Sequence, residues 1–230
     1  NEVIANRANE ILGKKLGNNN PIHPNDHCNL GQSSNDSFPT AMNIAIILEI
    51  KKNLIPTIKS LSKALSIKEK DFSTIVKIGR THLQDAVPLT LGQEFGAFKV
   101  QIDNALDRIQ NSSKELFSLA QGATAVGSGL NSSTVFVKGF IKAIQSITDL
   151  PFKSAENKFE SLSSHDSIVN LSGAINTLVT ASYKVANDIR LLSSGPRCGI
   201  GEINIPSNEP GSSIMPGKVN PTPVSYTHLR

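Results

Sequence analysis

Apolar residues recur every three or four positions along three long stretches of the chain, which is the spacing of an amphipathic α-helix. A shorter fourth stretch has the same spacing, and residues 1–17 also read as helix. Pro56 falls inside the first stretch and predicts a kink there. The four apolar stripes are formed by Ile47, Ile50, Leu54, Ile58, Leu61 and Leu65; by Phe95, Phe98, Ile102, Leu106, Ile109 and Leu116; by Ile168, Leu171, Ile175, Leu178, Val185, Ile189 and Leu192; and by Phe136, Phe140, Ile144 and Ile147.

Strand-like alternation is almost absent from the sequence. Residues 73–79, STIVKIG, are the one fair candidate for a short strand. Because the long stripes exceed the usual length of a globular helix, the pattern predicts a mainly α fold built as an elongated helical bundle. Stripes of this kind pack in a core or along an oligomer seam, and we assign no chemistry to them.

The composition narrows the class of protein without identifying it. The 230 residues are 38% hydrophobic and 18% charged, with a net charge of +4. Since the lysines and arginines are scattered rather than clustered, we predict no nucleic-acid partner. Two distant cysteines form no disulfide framework, and the longest apolar run, residues 44–50, is too short to span a bilayer. We therefore expect a cytoplasmic protein (mitochondrial matrix in a eukaryote) with no membrane partner.

Candidate chemistry is concentrated in four polar segments that border the periodic stretches. These segments are rich in hydroxyl, amide or imidazole groups, and we interpret them as loops held by rigid helices, a common place for a site. Pro216 and Pro221 exclude a regular helix in the last of them, and Pro210 directly precedes it. The segments are HPNDHCN (23–29), GQSSNDSFPT (31–40), GRTHLQDA (79–86) and GSSIMPGKVNP (211–221).

The first two segments leave several interpretations open. His23, His27 and Cys28 suggest a metal, but no second cluster completes a ligand set, so an Asx-type turn and an anion-binding turn remain the alternatives. Ser33 or Ser34 is a candidate N-cap for a helix that follows Pro39. Capping and ligand binding are compatible, because a helix N-terminus attracts anions.

The other two segments hold the strongest candidates for catalysis. A lone histidine is often structural, but Thr81, Gln84 and Asp85 are neighbours able to fix the tautomer of the His82 imidazole. The segment 211–221 is either a disordered linker or a built loop that carries hydroxyl, amine and amide groups. The specific order of its Met, Pro, Lys and Asn residues favours the built loop.

Together the four segments resemble the signatures of the class II fumarases, in the fumarase/aspartase superfamily. The order and spacing of GSSIMPGKVNP, GRTHLQDA, HPND and SSND match from residue 1 to about residue 222. The resemblance implies the elongated helical fold of that superfamily and a homotetrameric lyase that binds a small dicarboxylate and uses no cofactor and no metal. His82 favours fumarase, since the aspartase-like enzymes tend to carry Gln at that position. The expected reaction is the reversible hydration of fumarate to (S)-malate in the tricarboxylic acid cycle.

That reaction places two demands on a site. A base must remove a proton from a carbon next to a carboxylate, and positive charge and N–H donors must stabilise the doubly charged aci-form that results. Lys218 can supply the charge and Asn220 an amide donor. Ser212 can be the base if backbone N–H groups and Lys218 together stabilise its alkoxide. Gly211 and Gly217 would allow the loop to close over the substrate.

The resemblance also assigns roles to individual residues. It implies active sites that draw these segments from three different subunits. The implied catalytic residues are Ser212 and His82; the implied substrate-binding residues are Thr81, Ser33, Ser34, Asn35, Ser213, Lys218, Val219 and Asn220; and the implied second dicarboxylate site comprises His23, Pro24, Asn25 and Asp26.

The match to these signatures ends after Thr222, and residues 223–230, PVSYTHLR, form an atypical tail. We expect residues 1–36 to end an N-terminal lyase domain and residues 37–230 to form a truncated central helical-bundle domain. We also expect this chain to be a central piece of a longer protein and to be inactive alone. The alternative functions are a non-catalytic structural member of the superfamily and an aspartate ammonia-lyase.

Overall fold

A computed structural model describes residues 1–207, 211, 214–215 and 217–221 of the chain. Helices dominate these residues, which confirms the prediction of a mainly α fold. The helices are α1 (Glu2–Ile11), α2 (Ser34–Glu49), α3 (Ile55–Asp71), α4 (Leu91–Ser112), α5 (Thr134–Thr148), α6 (Lys158–Ser163) and α7 (Asp166–Leu192). The strands are β1 (Val76–Thr81), β2 (Gln84–Thr90), β3 (Ser118–Leu119) and β4 (Lys153–Ser154).

The apolar stripes fall on helices as predicted, with two interruptions. The first stripe is divided between α2 and α3 by a π-helical segment, Ile50–Leu54. Pro56 lies in the first turn of α3, where a missing N–H breaks no helical hydrogen bond. The kink predicted at Pro56 is therefore replaced by the π-helical segment that precedes it. The second stripe forms α4 up to Ser112, and Leu116 falls in a separate turn of 3₁₀-helix. In the described part of the chain, no helix is both long and apolar enough to cross a membrane.

The chain divides into two compact units, of which the first comprises residues 1–53 and 112–170. Its core is aliphatic and aromatic: Ile47, Leu119 and Phe152 are fully buried, and the rings of Phe117 and Phe152 lie 5.3 Å apart. The parallel pair β3–β4 joins two parts of this core. The boundary predicted at residue 36 stays a prediction.

The second unit comprises residues 54–111 and 171–230. Here α3 contacts α4 through a hydrogen bond from Ser62 to Asp103, and α7 contacts α4 where Lys184 Nζ lies 4.7 Å from the centre of the Phe98 ring. The rings of Phe72, Phe95 and Phe98 pack edge to face. The buried apolar positions of the three helices include Ile58, Leu65, Ile102, Ile109, Leu171, Leu178 and Val185.

The second unit also contains an antiparallel hairpin that the sequence did not predict in full. The strand predicted at residues 73–79 exists as β1, but it begins three residues later, at Val76, and runs on to Thr81. The segment GRTHLQDA is not a loop, because it forms the end of β1, the turn and the start of β2. β2 gives no strand signal in the sequence, because its residues are mostly exposed on both faces and no apolar–polar alternation results.

Candidate active site

His82 occupies the tip of the β1–β2 hairpin. Thr81 pairs with Gln84, so the turn has two residues, His82 and Leu83, with φ values of 53° and 60°. A two-residue hairpin turn with two positive φ values is normally built from Asn and Gly. Holding two other residues in the left-handed region costs roughly 1–2 kcal/mol each. Strain of this kind is common at functional sites, and here it fixes an imidazole at an exposed tip.

A bulge at the base of the hairpin depends on a glycine. The pairing runs from Ile78 opposite Pro88 to Arg80 opposite Asp85, so β2 has one residue more than β1 in this interval. A Cβ at Gly79 would lie 2.7 Å from the carbonyl oxygen of Val87, which leaves no room for any side chain. Gly79 therefore permits the bulge that sets the course of the strand toward His82.

The His82 ring lies beside a charged cavity of about 500 Å³ in the second unit. Five charged residues line it. Lys77 and Arg80 come from β1, Glu94 comes from α4, and Lys184 and Asp188 come from α7. Four of these charges balance in pairs, since Lys77 pairs with Glu94 and Lys184 with Asp188, each at 2.6 Å. The fifth, Arg80, pairs with Glu202.

The expected orientation of His82 by its neighbours is not confirmed. No described residue hydrogen-bonds to the imidazole, and Asp85 stands opposite Arg80 in the hairpin register. Thr81 and Gln84 pair with each other as the last strand residues before the turn. The hairpin explains this result. Successive side chains of a strand point to opposite faces, so residues next to His82 in sequence need not point toward its ring.

Glu202 anchors the hairpin from the segment that follows α7, and sequence reasoning missed it. Its carboxylate lies 2.6 Å from Lys77 Nζ and 2.5 Å from Arg80. Its backbone N–H donates to the carbonyl of Leu192, the last residue of α7. Burial raises the pKa of the Glu202 carboxyl, but hydrogen bonds from Arg80 and Lys77 outweigh burial and hold that pKa below its ordinary value. A single acidic residue in a loop gives no signal in the sequence that it has this role.

We expect Glu202→Gln to lower the free energy of unfolding by about 1–3 kcal/mol at neutral pH, because it removes charge-assisted hydrogen bonds.

The folded-state pKa of Glu202 is below the unfolded value of about 4.3, so the stabilisation that the Glu202 carboxylate gives is present above that pH. It is lost as the pH falls through the folded pKa. Thermal unfolding across this range is expected to show the two proteins converging in acid. Glu156→Gln, which changes an exposed carboxylate, is the control. A difference in stability between wild type and Glu202→Gln that does not change with pH contradicts the account.

Lys218 and Asn220 lie together in the second unit. Lys218 Nζ donates to Asn220 Oδ1 at 2.7 Å, and Lys218 is exposed. Because the amide oxygen of Asn220 is engaged by the ammonium, its NH₂ group remains the end that can donate to a ligand. Val219, between them, is also exposed. Ser212 and Ser213 lie outside the described residues.

Two glycines shape this segment for different reasons. Gly217 has φ +77° in the turn closed by the Lys218 N–H and the Met215 carbonyl, and open space surrounds it. A Cβ at Gly211 would lie only 2.3 Å from the carbonyl oxygen of Lys218. Gly211 therefore lets the two ends of the segment 211–218 approach each other, whereas Gly217 supplies the left-handed backbone of the turn. The lid role predicted for them stays a prediction.

The motif SSND begins a helix six residues earlier than predicted, at Ser34 and not after Pro39. Ser33 is the N-cap of α2, its Oγ accepts the N–H of Asn35 at 3.1 Å, and Pro39 lies inside the helix. Only residues 31–33 of the segment 31–40 lie outside the helix, since a proline in the second turn proved compatible with it. Ser34 and Asn35 are exposed at the N-terminus of a 16-residue helix, a favourable place for an anion.

The segment HPNDHC forms a single π-helical turn, Pro24–Cys28, whose cap is a histidine and not an Asx side chain. Anion binding by this turn stays a prediction. His23 caps it: its Nδ1 accepts the N–H groups of Asn25 and Asp26 at 3.3 and 3.2 Å. Nδ1 of His27 accepts the His23 N–H at 2.8 Å. Since each Nδ1 is an acceptor, each ring presents Nε2–H as its donor.

Asn9 fixes the chain that leads into this turn, and sequence reasoning missed it. The residue is fully buried on α1. Its Nδ2 donates to the carbonyls of Asn18 and Ile22 at 2.6 and 2.8 Å, and its Oδ1 accepts the Ile22 N–H at 2.9 Å. The available signal was a polar residue four positions after Ala5 on the buried helix face.

The predicted site residues are divided between the two units. Residues 23–26 and 33–35 lie in the first unit, where Gln32 Nε2 donates to the Cys28 carbonyl at 2.9 Å and ties the two motifs together. Residues 81–82 and 218–220 lie in the second unit. Among the described residues of the second unit, no hydrogen bond or ion pair joins residues 81–82 to residues 218–220.

Comparison with known proteins identifies the family. A family model described as "Lyase" matches residues 1–229. The chain belongs to this lyase family. The lyase is 60% identical over 222 residues to fumarate hydratase class II 2 of Bradyrhizobium diazoefficiens, covering 96% of this chain and 47% of that protein. It is 58% identical over 222 residues to the mitochondrial fumarate hydratase of Rhizopus oryzae, covering 96% of this chain and 45% of that protein.

Solved structures agree with this assignment. The lyase matches the crystal structure of a class II fumarase from Schistosoma mansoni with a TM-score of 0.92 and 46% identity, over 96% of this chain and 50% of that one. The resemblance to class II fumarases and the fumarase/aspartase fold are thereby confirmed. The chain spans about half the length of the curated relatives that it matches.

Proposed function

We propose that the full-length protein containing these residues is a fumarate hydratase that interconverts fumarate and (S)-malate. The observation that carries the proposal is the similarity to proteins named fumarate hydratase over 96% of this chain. The chain also has His82, Ser212, Lys218 and Asn220, the polar groups that the reaction requires. A structural relative without activity has no need to keep all four.

In this proposal Ser212 removes the proton from the carbon next to a substrate carboxylate. The electron pair moves onto that carboxylate, which then carries two negative charges and needs fixed positive charge beside it. Lys218 supplies the charge, and the NH₂ group of Asn220 supplies a donor. The Lys218–Asn220 contact supports this role because it holds the two groups side by side.

His82 acts at the opposite end of the reaction, on the hydroxyl or through a water molecule. An imidazole is suited to this task because its two ring nitrogens can accept and donate a proton. Its position on a strained hairpin tip supports a functional role over a structural one. Thr81, Ser33, Ser34, Asn35 and Ser213 complete the substrate contacts, and the turn at residues 23–26 provides a second dicarboxylate site.

We propose a homotetramer in which different subunits contribute these segments to one site. Support comes from α7, which buries Leu171, Leu178 and Val185 yet exposes Val179 and Tyr183. A helix with apolar residues on two sides is typical of a bundle shared between subunits. Relatives include bacterial and mitochondrial proteins, so we propose a tricarboxylic acid cycle role in the cytoplasm or the mitochondrial matrix.

Substrate choice tests the proposal. Because His82 stands where the ammonia-lyases tend to carry Gln, we expect the full-length protein to form fumarate from (S)-malate and to be nearly inert with aspartate. Ultraviolet absorbance of fumarate follows both reactions. Comparable rates with the two substrates would favour the ammonia-lyase alternative, and no rate with either would favour a structural role.

A further inference from the structure

A carboxylate is buried directly beneath the proposed carboxylate-binding end of α2. Asp36 is the third residue of the helix and is 0% exposed, whereas Ser34 and Asn35 on the same turn are exposed. The proposed chemistry makes no direct use of Asp36, because nothing of its side chain reaches the surface. A buried carboxylate is unfavourable unless its oxygens are hydrogen-bonded.

Four donors satisfy the two oxygens of Asp36. Oδ1 accepts the N–H of Ser33 at 3.0 Å and the hydroxyl of Ser37 at 3.2 Å. Oδ2 accepts the N–H of Gly122 at 3.0 Å and the N–H of Thr124 at 2.8 Å. One carboxylate therefore joins the first turn of α2 to a segment almost ninety residues further along the chain.

The distant segment is shaped to receive an anion. Gly122 and Thr124 have φ values of +86° and +58°, and their N–H groups converge on Oδ2 as in an anion-binding nest. Gly122 also has no space for a side chain, since a Cβ would lie 2.3 Å from Val137 Cγ2. Burial lowers the pKa of Lys158, and the charge of Asp36 opposes this shift. The nest is filled by a side chain of the protein itself.

The same segment holds one of the proposed substrate contacts. Asn35 Nδ2 donates to the carbonyl of Ala125 at 2.8 Å. Asp36 and Asn35, adjacent on α2, are therefore both fastened to residues 122–125. The Ser33 backbone is fastened as well, through its N–H to Asp36 Oδ1.

We infer that Asp36 is a positioning residue that orients Ser33, Ser34 and Asn35 toward a dicarboxylate substrate. The inference rests on the proposed function and names a residue that fastens the helix turn carrying three of its binding groups to residues 122 and 124. It requires a carboxylate, because an Asn side chain cannot accept from all of these donors. Turned one way, its NH₂ group faces the N–H groups of Gly122 and Thr124; turned the other way, it faces the N–H of Ser33, while the Ser37 hydroxyl can turn to accept from it. Asp36→Asn thus loses at least one hydrogen bond and adds a donor–donor contact whichever way the amide is turned.

The test measures binding of succinate, a four-carbon dicarboxylate with no group to eliminate, by calorimetry on the full-length protein. Asp36→Asn is expected to raise the Kd at least about tenfold, as loss of buried hydrogen bonds to a charged group implies. Asp103→Asn is the matched control: its carboxylate is also hydrogen-bonded, by Ser62 and Lys99, but lies in the other unit. The control is expected to lose stability and to keep the wild-type Kd.

A double-mutant comparison separates positioning from a general loss of structure. If Asp36 acts through Asn35, then Asp36→Asn is expected to weaken binding much less in an Asn35→Ala background than in the wild type. Additive effects of the two substitutions, or a Kd for Asp36→Asn within about twofold of wild type, would overturn the inference. Absence of succinate binding by the wild type would overturn it as well.

A milder variant keeps the inference testable if Asp36→Asn does not fold. Ser37→Ala removes one of the four donors and leaves the carboxylate, so we expect the Kd to rise about threefold. An unchanged Kd for Ser37→Ala in that case contradicts the inference. Fumarate hydration is assayed separately: a wild type that binds succinate but does not hydrate fumarate defeats the proposed reaction and not the role of Asp36.

Discussion

In the full-length protein, Ser212→Ala is expected to lower kcat by about 10²–10⁴-fold, the range for loss of a general acid or base. The KM for malate is expected to change little, because Ser212 removes a proton from a carbon and does not hold a substrate carboxylate. A group used mainly in the transition state affects kcat without affecting ground-state binding. Steady-state kinetics with malate, together with the Kd for succinate, measure both quantities.

Ser60→Ala is the control for this substitution, because Ser60 is an exposed serine on α3. It is expected to keep wild-type kinetics. A normal kcat for Ser212→Ala would move the role of base to another residue, with His82 the first candidate.

Lys218→Ala is expected to impair both binding and rate, and so to differ from Ser212→Ala. Its ammonium holds a carboxylate in the ground state and meets a second negative charge in the aci-form. We expect KM to rise and kcat to fall by about 10²–10³-fold, as for removal of a fixed donor at a developing charge. Lys218→Arg keeps the charge but not the compact contact to Asn220 Oδ1, and we expect intermediate values.

Lys51→Ala makes the same change of charge at an exposed lysine in the π-helical segment and serves as the control. It is expected to leave kcat and KM unchanged. If Lys218→Ala raises KM but keeps a normal kcat, then Lys218 contributes uniform binding only, and the stabilisation of the aci-form must come from elsewhere.

The helices were predictable because their apolar residues repeat with the period of a helix. The β1–β2 hairpin was predicted only in part, because its turn contains His82 and Leu83 in place of the Asn and Gly that mark such turns. The start of α2 was placed too late because Pro39 looked like a helix boundary, whereas the cap at Ser33 was strong enough to begin the helix before it.

The candidate site was predictable as a set of residue types and not as a geometry. The motifs indicated Lys218 and Asn220, but only the structure shows that their side chains are in contact. The residues that support the motifs, Asn9, Asp36 and Glu202, were missed. Each acts through hydrogen bonds to residues distant in sequence, and a polar residue gives no sequence signal of such partners.

Incubation of fumarate with the purified full-length protein in deuterium oxide, followed by proton NMR, tests the central claim most directly. If the protein adds water across the double bond, the fumarate signal is lost and malate forms with one deuterium at the methylene carbon. The signal is expected to disappear much more slowly with the Ser212→Ala protein. A fumarate signal that persists unchanged, or conversion only when ammonium is added, with aspartate as the product, would contradict the claim that this lyase is a fumarate hydratase.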